Sequence, residues 1–334
     1  MRDDDRMMDL PNEFGSGIVG VCDICGKRQA VIVLQKERYK LCVLDFLNKT
    51  WLKTDKSPGA PAPLYRSDRI WFDTPSVPEG KALAIVLTPT KLVRHPVVLI
   101  TPDVYGLTTT LLDAAIRFAR DGYEVLVPDT GKTPSVGPGH HLALRTGVRF
   151  RGGVSSRSKK VLGLVNLYVD ALDFLRNRDM VDPAKSAVFG ASYGGSLALA
   201  VAAQDTRLAA VGLAYPQPVA PPDLARLVTA PILYVGGTAD PGAAKARQQL
   251  AAVAGPQGPR VEFVDLPGGA HGFLARDLPA YDLRLAEAAW GRILAFFRQQ
   301  LQPPIPRPPA PPLLQGPATP PAGAPAKPPA ATPA

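Results

Sequence analysis

Cysteine is scarce in this chain, with three residues among 334. So few exclude a disulfide framework and suit a reducing compartment, so the protein is expected in the cytoplasm. Long apolar runs are missing too. None approaches the roughly 18–20 residues needed to cross a bilayer, and no membrane association is expected. The opening stretch MRDDDRMMDLPNEFG is acidic and polar, without the basic-then-apolar order of a secretory signal. Histidine is limited to His95, His140, His141 and His271, which narrows the search for a general base. Acidic residues are absent from residues 131–160, where Lys132, Arg145, Arg149, Arg151, Arg157, Lys159 and Lys160 fall. This stretch has few aromatics to stack on bases, which argues against a nucleic-acid partner. It reads as a solvated basic loop or, alternatively, as an electropositive rim for carboxylate-bearing substrates. The formal charge of +9 favours anionic partners in general without naming one.

Hydrophobic residues make up 46% of the chain, enough for an ordinary globular core. Composition divides it into a polar N-terminus (1–15), a module with all three cysteines (16–54), a linker (55–66), a large domain (67–301) and a tail (302–334). The tail, QPPIPRPPAPPLLQGPATPPAGAPAKPPAATPA, has too few core-forming residues to offset its ordering entropy. It is expected to be disordered with polyproline II character; it reads as a solubilising segment, and PPIPRPP is its candidate for docking a protein partner.

In the large domain, strands are predicted at RIWFDT, ALAIVLT, PVVLIT, EVLVPD, SAVFGA, LAAVGLAY, PILYVGG and VEFVDLP. Apolar residues at intervals of three and four predict helices over 108–122, 159–178 and 280–301. Alternating strands and helices, with nearly continuous apolar runs in the later strands, predict an α/β fold: a mostly parallel sheet covered by helices on both faces. The first two strands have no helix between them and should form a hairpin at the sheet edge.

Gly190-Ala191-Ser192-Tyr193-Gly194 reads G-x-S-x-G between a predicted strand and an alanine-rich helix. In that setting the motif holds its serine on a sharp, strained turn, and the small glycines let backbones approach closely. The serine also lies near a helix N-terminus, which favours a developing anion. Ser192 is the candidate nucleophile. A nucleophilic serine needs a base and the base an orienting acid, in chain order serine, acid, histidine. His271, in LPGGAHGF, is the only histidine after Ser192. Asp240, in YVGGTADPG, lies just past a strand's carboxyl end and can also cap the helix beginning near Gly242. Asp205, Asp223, Glu262 and Asp265 are its rivals; Asp265 would have to point out of a buried strand.

These motifs, with TPDVYGL, GYEVLVPD, PGGAHGFLAR and AYDLRLAEAAWGRILAFF, resemble the dienelactone hydrolase family of α/β-hydrolases over essentially the whole domain. The resemblance implies a carboxylic ester or lactone hydrolase with an oxyanion hole formed by the amides of Tyr193 and Val104. It also implies substrate contacts from Asp103 and Arg276, catalysis without a cofactor, and a small-molecule substrate, anionic where Arg276 holds its carboxylate. Family namesakes carry cysteine and glutamate where this chain has Ser192 and Asp103. Arg276 matches the family's carboxylate-binding arginine only loosely in spacing.

The N-terminal module has Cys22-x2-Cys25, sixteen residues, then Cys42-x2-Asp45. That is the spacing of a zinc ribbon with aspartate in the fourth place, and QAVIVLQKERYKLCV would form the hairpin between the pairs. Cys22, Cys25, Cys42 and Asp45 are candidate ligands of a structural zinc, and the module a candidate protein-binding surface. Three classes of function stand: a serine hydrolase; a non-catalytic zinc-ribbon adaptor with a degenerate hydrolase domain; and an acyl transferase or peptidase on the same fold.

Overall fold

The computed structural model describes residues 64–102, 109–129, 159–276 and 278–301, with short strands at 20–21, 29–30, 32–34, 39–41 and 154–155. The metal-ligand candidates Cys22, Cys25, Cys42 and Asp45, most of the basic stretch, the loop of Asp103 and Val104, and the tail lie outside the described residues. In the N-terminal module β1 (Gly20–Val21) pairs antiparallel with β2 (Gln29–Ala30), and β3 (Ile32–Leu34) with β4 (Tyr39–Leu41), Ile32 opposite Leu41. The second pair is the hairpin expected in QAVIVLQKERYKLCV.

The domain that follows begins with β5 (Tyr65–Asp73), β6 (Lys81–Pro89) and β7 (His95–Thr101), then α1 (Thr109–Arg120), β8 (Glu124–Pro128) and the short β9 (Val154–Ser155). Next come α2 (Lys159–Arg176), β10 (Val181–Ala191), α3 (Tyr193–Gln204), β11 (Ala210–Ala214), the short β12 (Val219–Ala220) and β13 (Ile232–Gly237). It closes with α4 (Pro241–Val253), β14 (Val261–Leu266) and α5 (Leu283–Leu301). Eight strands form one sheet in the order β14-β13-β11-β10-β7-β8-β6-β5. From β14 to β8 every pairing is parallel, whereas β6 runs antiparallel to both β8 and β5. The expected hairpin thus forms one edge of the sheet.

Two boundaries and the burial of one strand differ from the sequence reading, each for a physical reason. β5 starts at Tyr65, inside the stretch read as linker, because a nine-residue ladder with β6 runs from Tyr65 opposite Pro89 to Asp73 opposite Lys81. β10 reaches back to Val181 through a register irregularity that absorbs Asp182 and Pro183, residues that look like a turn in sequence. β14 is the opposite edge and only half-buried, so Asp265 faces solvent and accepts hydrogen bonds from Arg247 Nε at 2.8 and 2.9 Å. The premise that Asp265 sits in a buried strand is therefore corrected.

Helices cover both faces of the sheet. α1 and α5 meet through a cluster of Phe118, Tyr123, Phe189, Trp290 and Phe297, with Phe118 and Phe297 ring centres 4.9 Å apart. Aromatic side chains bury large apolar areas, so this cluster fixes two helices on one face. α3 is buried around most of its circumference, from Tyr193 to Ala202. Its composition, YGGSLALAVAAQ, is what a helix enclosed on all sides requires: small residues where backbones approach and no charge. That rigid helix begins at Ser192.

Candidate active site

Ser192 occupies the turn between β10 and α3 with φ 55° and ψ −125°, a left-handed region that non-glycine residues rarely adopt. Such strain, typically about 1–3 kcal/mol, persists only where surrounding contacts over-determine it. They do so here. Ser192 N donates to Ala214 O on β11 at 2.9 Å, and Ser192 O accepts from Ser196 N and Gln217 N, both at 3.3 Å. The flanking glycines are steric requirements. A Cβ on Gly190 would collide with Gly194 O and Thr101 Oγ1, and one on Gly194 with Thr101 O. Thr101, at the end of β7, donates from Oγ1 to Gly194 O at 2.7 Å and joins the two sides of the turn. The amide of Tyr193 opens α3, at the positively polarised end of the helix. Burial pushes the Tyr193 phenol up to about 12, so it stays neutral.

Asp240 and His271 lie on loops beyond the carboxyl ends of β13 and β14, and these loops are stitched together. Ala239 N donates to Gly269 O at 3.0 Å, Thr238 N to Leu266 O at 3.0 Å, and Gly268 N to Thr238 Oγ1 at 2.9 Å. A Cβ on Gly237 would overlap the Gly269 carbonyl and one on Gly269 would press on Gly237 Cα, so these two glycines, one from GGTAD and one from PGGAH, share a purpose: close backbone contact between the two loops. Phe273 is fully buried and anchors the loop just past His271.

The three side chains form one hydrogen-bonded row. Ser192 Oγ lies 2.9 Å from His271 Nε2, and His271 Nδ1 lies 2.6 Å from Asp240 Oδ2. Asp240 uses its other oxygen, Oδ1, to accept from Gly242 N at 2.9 Å and Ala243 N at 3.1 Å at the start of α4. The side chain of Asp240 is 3% exposed and that of His271 37%, so the acid is enclosed and the imidazole reaches the surface. Burial works against the Asp240 charge, but the hydrogen bond and attraction from His271 and the two amides outweigh it, and the carboxyl titrates below its ordinary value. An ionised Asp240 can only accept, so His271 carries its proton on Nδ1 and presents a lone pair to Ser192.

Sequence reading missed two neighbours of the imidazole. Tyr215, held at φ 35°, sets its buried ring edge-to-face against His271 and Phe273, each at 5.2 Å. Gln217 brings Nε2 to 3.4 Å from His271 Nε2. The available signal was YPQP, a glutamine between prolines directly after a buried strand. Arg276 is ion-paired to Asp113 of α1 at 3.4 Å with its side chain 56% exposed, so a substrate carboxylate would have to compete with Asp113. Asp103 and Val104 lie outside the described residues. Among the described residues no cluster of three or more His, Cys, Asp or Glu side chains could hold a metal ion.

Comparison with known proteins places this geometry in a family. The model of the dienelactone hydrolase family matches residues 83–301. The quorum-quenching protein AidA of Acinetobacter baumannii (strain MDR-ZJ06) is 30% identical over 146 residues, which span 42% of this chain and only 41% of AidA. A probable 2-oxo-3-(5-oxofuran-2-ylidene)propanoate lactonase from a Bradyrhizobium species is 27% identical over 242 residues, 69% of this chain and 94% of that protein. The crystal structure of dienelactone hydrolase from Anabaena variabilis ATCC 29413 superposes with a TM-score of 0.56 at 22% identity, covering 72% of this chain and all of that one (100%). At that identity the superposition speaks for the fold. The family match, which extends from β6 to the end of α5, decides the rest: the chain belongs to the dienelactone hydrolase family.

Proposed function

We propose that the protein is a serine hydrolase that cleaves a carboxylic ester or lactone through an acyl-enzyme on Ser192. The observation that carries this reading is the row Ser192 Oγ–His271 Nε2–Asp240, at 2.9 and 2.6 Å, on a strained turn at a helix start. The lone pair on His271 Nε2 takes the hydroxyl proton as Oγ attacks the acyl carbon, and Asp240 steadies the imidazolium that forms. The carbonyl oxygen becomes an oxyanion, received by the amide of Tyr193 and, by family resemblance, that of Val104. Collapse breaks the carbon–oxygen bond to the leaving group, which takes the proton from Nε2. Water then gives a proton to Nε2 and adds its oxygen to the acyl carbon, and the proton returns to Ser192 Oγ as the acid leaves. With a lactone the leaving oxygen stays tethered, and the product is a single hydroxy acid. The name of the Bradyrhizobium relative, matched over 94% of its length, supports a lactone as the substrate class.

Wild-type protein should bind a fluorophosphonate probe covalently at Ser192 and hydrolyse p-nitrophenyl esters or small lactones. Ser192→Ala should lose labelling and at least about 10⁴-fold in turnover while keeping its melting temperature. An unlabelled wild-type protein would mean a scaffold without an activated serine and would overturn the proposal.

A further inference from the structure

We propose that Gln217 is a hydrogen-bond donor to the oxygen atom that exchanges protons with His271: the leaving-group oxygen in acylation and the attacking water in deacylation. The proposal rests on the serine-hydrolase reading and assigns a further residue to it.

Gln217 is held from several directions. Its backbone N donates to Ser192 O at 3.3 Å, and its backbone O accepts from the buried Ser196 Oγ at 2.6 Å, tying it to the first turn of α3. Two residues on, the Gln249 side chain of α4 accepts from Val219 N and donates to Val219 O, both at 3.0 Å. The carboxamide itself lies against the start of α4, where a Cβ on Gly242 would stand 3.1 Å from its Oε1 and 3.4 Å from its Nε2. The amide therefore fills the space between α4 and the imidazole, and Gly242 leaves it room.

Its direction follows from the imidazole. His271 donates from Nδ1 to Asp240, so Nε2 is an acceptor and the amide turns its Nε2–H2 group toward it. At 3.4 Å this contact is weak beside the 2.9 Å contact with Ser192. Its chemical value comes when Oγ is acylated and no longer bonds the imidazole. Two nitrogens 3.4 Å apart leave positions where one oxygen sits about 2.9 Å from both. A water there donates one hydrogen to His271 Nε2, accepts from Gln217 Nε2–H through one lone pair, and points the other at the acyl carbon. In acylation the departing oxygen occupies the same place, accepting the proton from His271 and a hydrogen bond from Gln217 as its charge develops.

The test uses Gln217→Met, of similar length but without a donor, and Gln217→Glu, which accepts but cannot donate when ionised. p-Nitrophenolate leaves without a proton, so with p-nitrophenyl acetate the burst rate and the fluorophosphonate labelling rate, both read on each variant's high-pH plateau, should stay within about twofold of wild type. Steady-state turnover should fall by about tenfold to a hundredfold in both variants, the range for losing one polar donor to a reacting oxygen. In Gln217→Glu the pH at which turnover rises should also move upward, because a carboxylate beside the imidazole favours its charged form. Wild-type turnover in either variant overturns the proposal. So does a loss shared equally by burst, labelling and turnover in both, which would make Gln217 a structural support of His271. Failure of wild-type protein to label overturns the serine reading itself, and this proposal with it.

Discussion

Asp240 divides its two oxygens between folding and chemistry, and that division can be separated by mutation. Oδ1 caps α4 through Gly242 and Ala243, while Oδ2 bonds His271 Nδ1. In Asp240→Asn the amide can keep its oxygen on the cap, but its NH2 group then faces Nδ1 and forces the proton onto Nε2. Such an imidazole cannot accept from Ser192, and turnover should drop by about four orders of magnitude, as for the equivalent change in trypsin. Asp240→Ala loses the cap as well and should be less stable than Asp240→Asn by about 1 kcal/mol in urea denaturation. The charge also has a pH signature. The folded-state carboxyl titrates below its ordinary value, so its stabilisation is fully present above the unfolded pKa of about 3.9 and is lost as pH falls through the folded value. The melting-temperature advantage of wild type over Asp240→Asn should therefore hold at neutral pH and shrink as pH is lowered below about 4. An unchanged difference across that range would show that the aspartate charge does not contribute to stability.

Between elements, glycine decides how closely two loops can lie. Gly237→Ala places a methyl against the Gly269 carbonyl and should part the loops that carry Asp240 and His271. Overpacking of this kind costs about 1–3 kcal/mol, and activity should fall further than stability because the Asp240–His271 hydrogen bond lengthens. Gly291, on the exposed side of α5, supplies the contrast: nothing lies within 4 Å of a Cβ there. Gly291→Ala should raise stability by about 0.5–1 kcal/mol and leave turnover alone. A methyl tolerated at Gly237 as well as at Gly291 would show that the two loops can separate without harm. The same elements mark the limits of reading the sequence. Strand–helix alternation, the glycines around Ser192 and the chain order of Ser192, Asp240 and His271 are local patterns, and the sequence carries them openly. Gln217 and Tyr215 showed in the sequence only as YPQP after a buried strand, because their contact with His271 depends on the way β11 ends over α3. The half-exposed β14 read as buried because an edge strand and an interior one can carry the same apolar residues.

Across the whole domain the sheet separates reactivity from anchorage. Ser192, Asp240 and His271 gather at the carboxyl ends of the strands, whereas the amino ends are held by ion pairs on buried carboxylates. Arg176, at the end of α2, bonds Asp205 after α3 and donates to Ser186 Oγ at the start of the regular part of β10 at 2.8 and 3.0 Å. Arg207 adds a second guanidinium to Asp205, and Arg178 bonds Glu124 at the start of β8. Burial opposes the charge on Asp205, but hydrogen bonds from Arg207 and Arg176 outweigh it and hold the carboxyl below its ordinary value. The side chains of Asp205 and Arg176 are 0% and 7% exposed, so removing the carboxylate leaves a guanidinium buried without its main partner. Asp205→Ala should cost about 3–5 kcal/mol, the range for breaking a buried pair. The Ser192 turn has its own ties at the opposite ends of β7 and β11, through Thr101 and Ala214, so little of that loss should reach it. The variant should thus unfold at much lower urea concentration, yet show nearly wild-type turnover per folded molecule, counted by fluorophosphonate labelling. A matching loss of turnover per labelled site would mean that the two ends of the sheet are mechanically coupled, and that the geometry of the turn depends on the ion pairs beneath it.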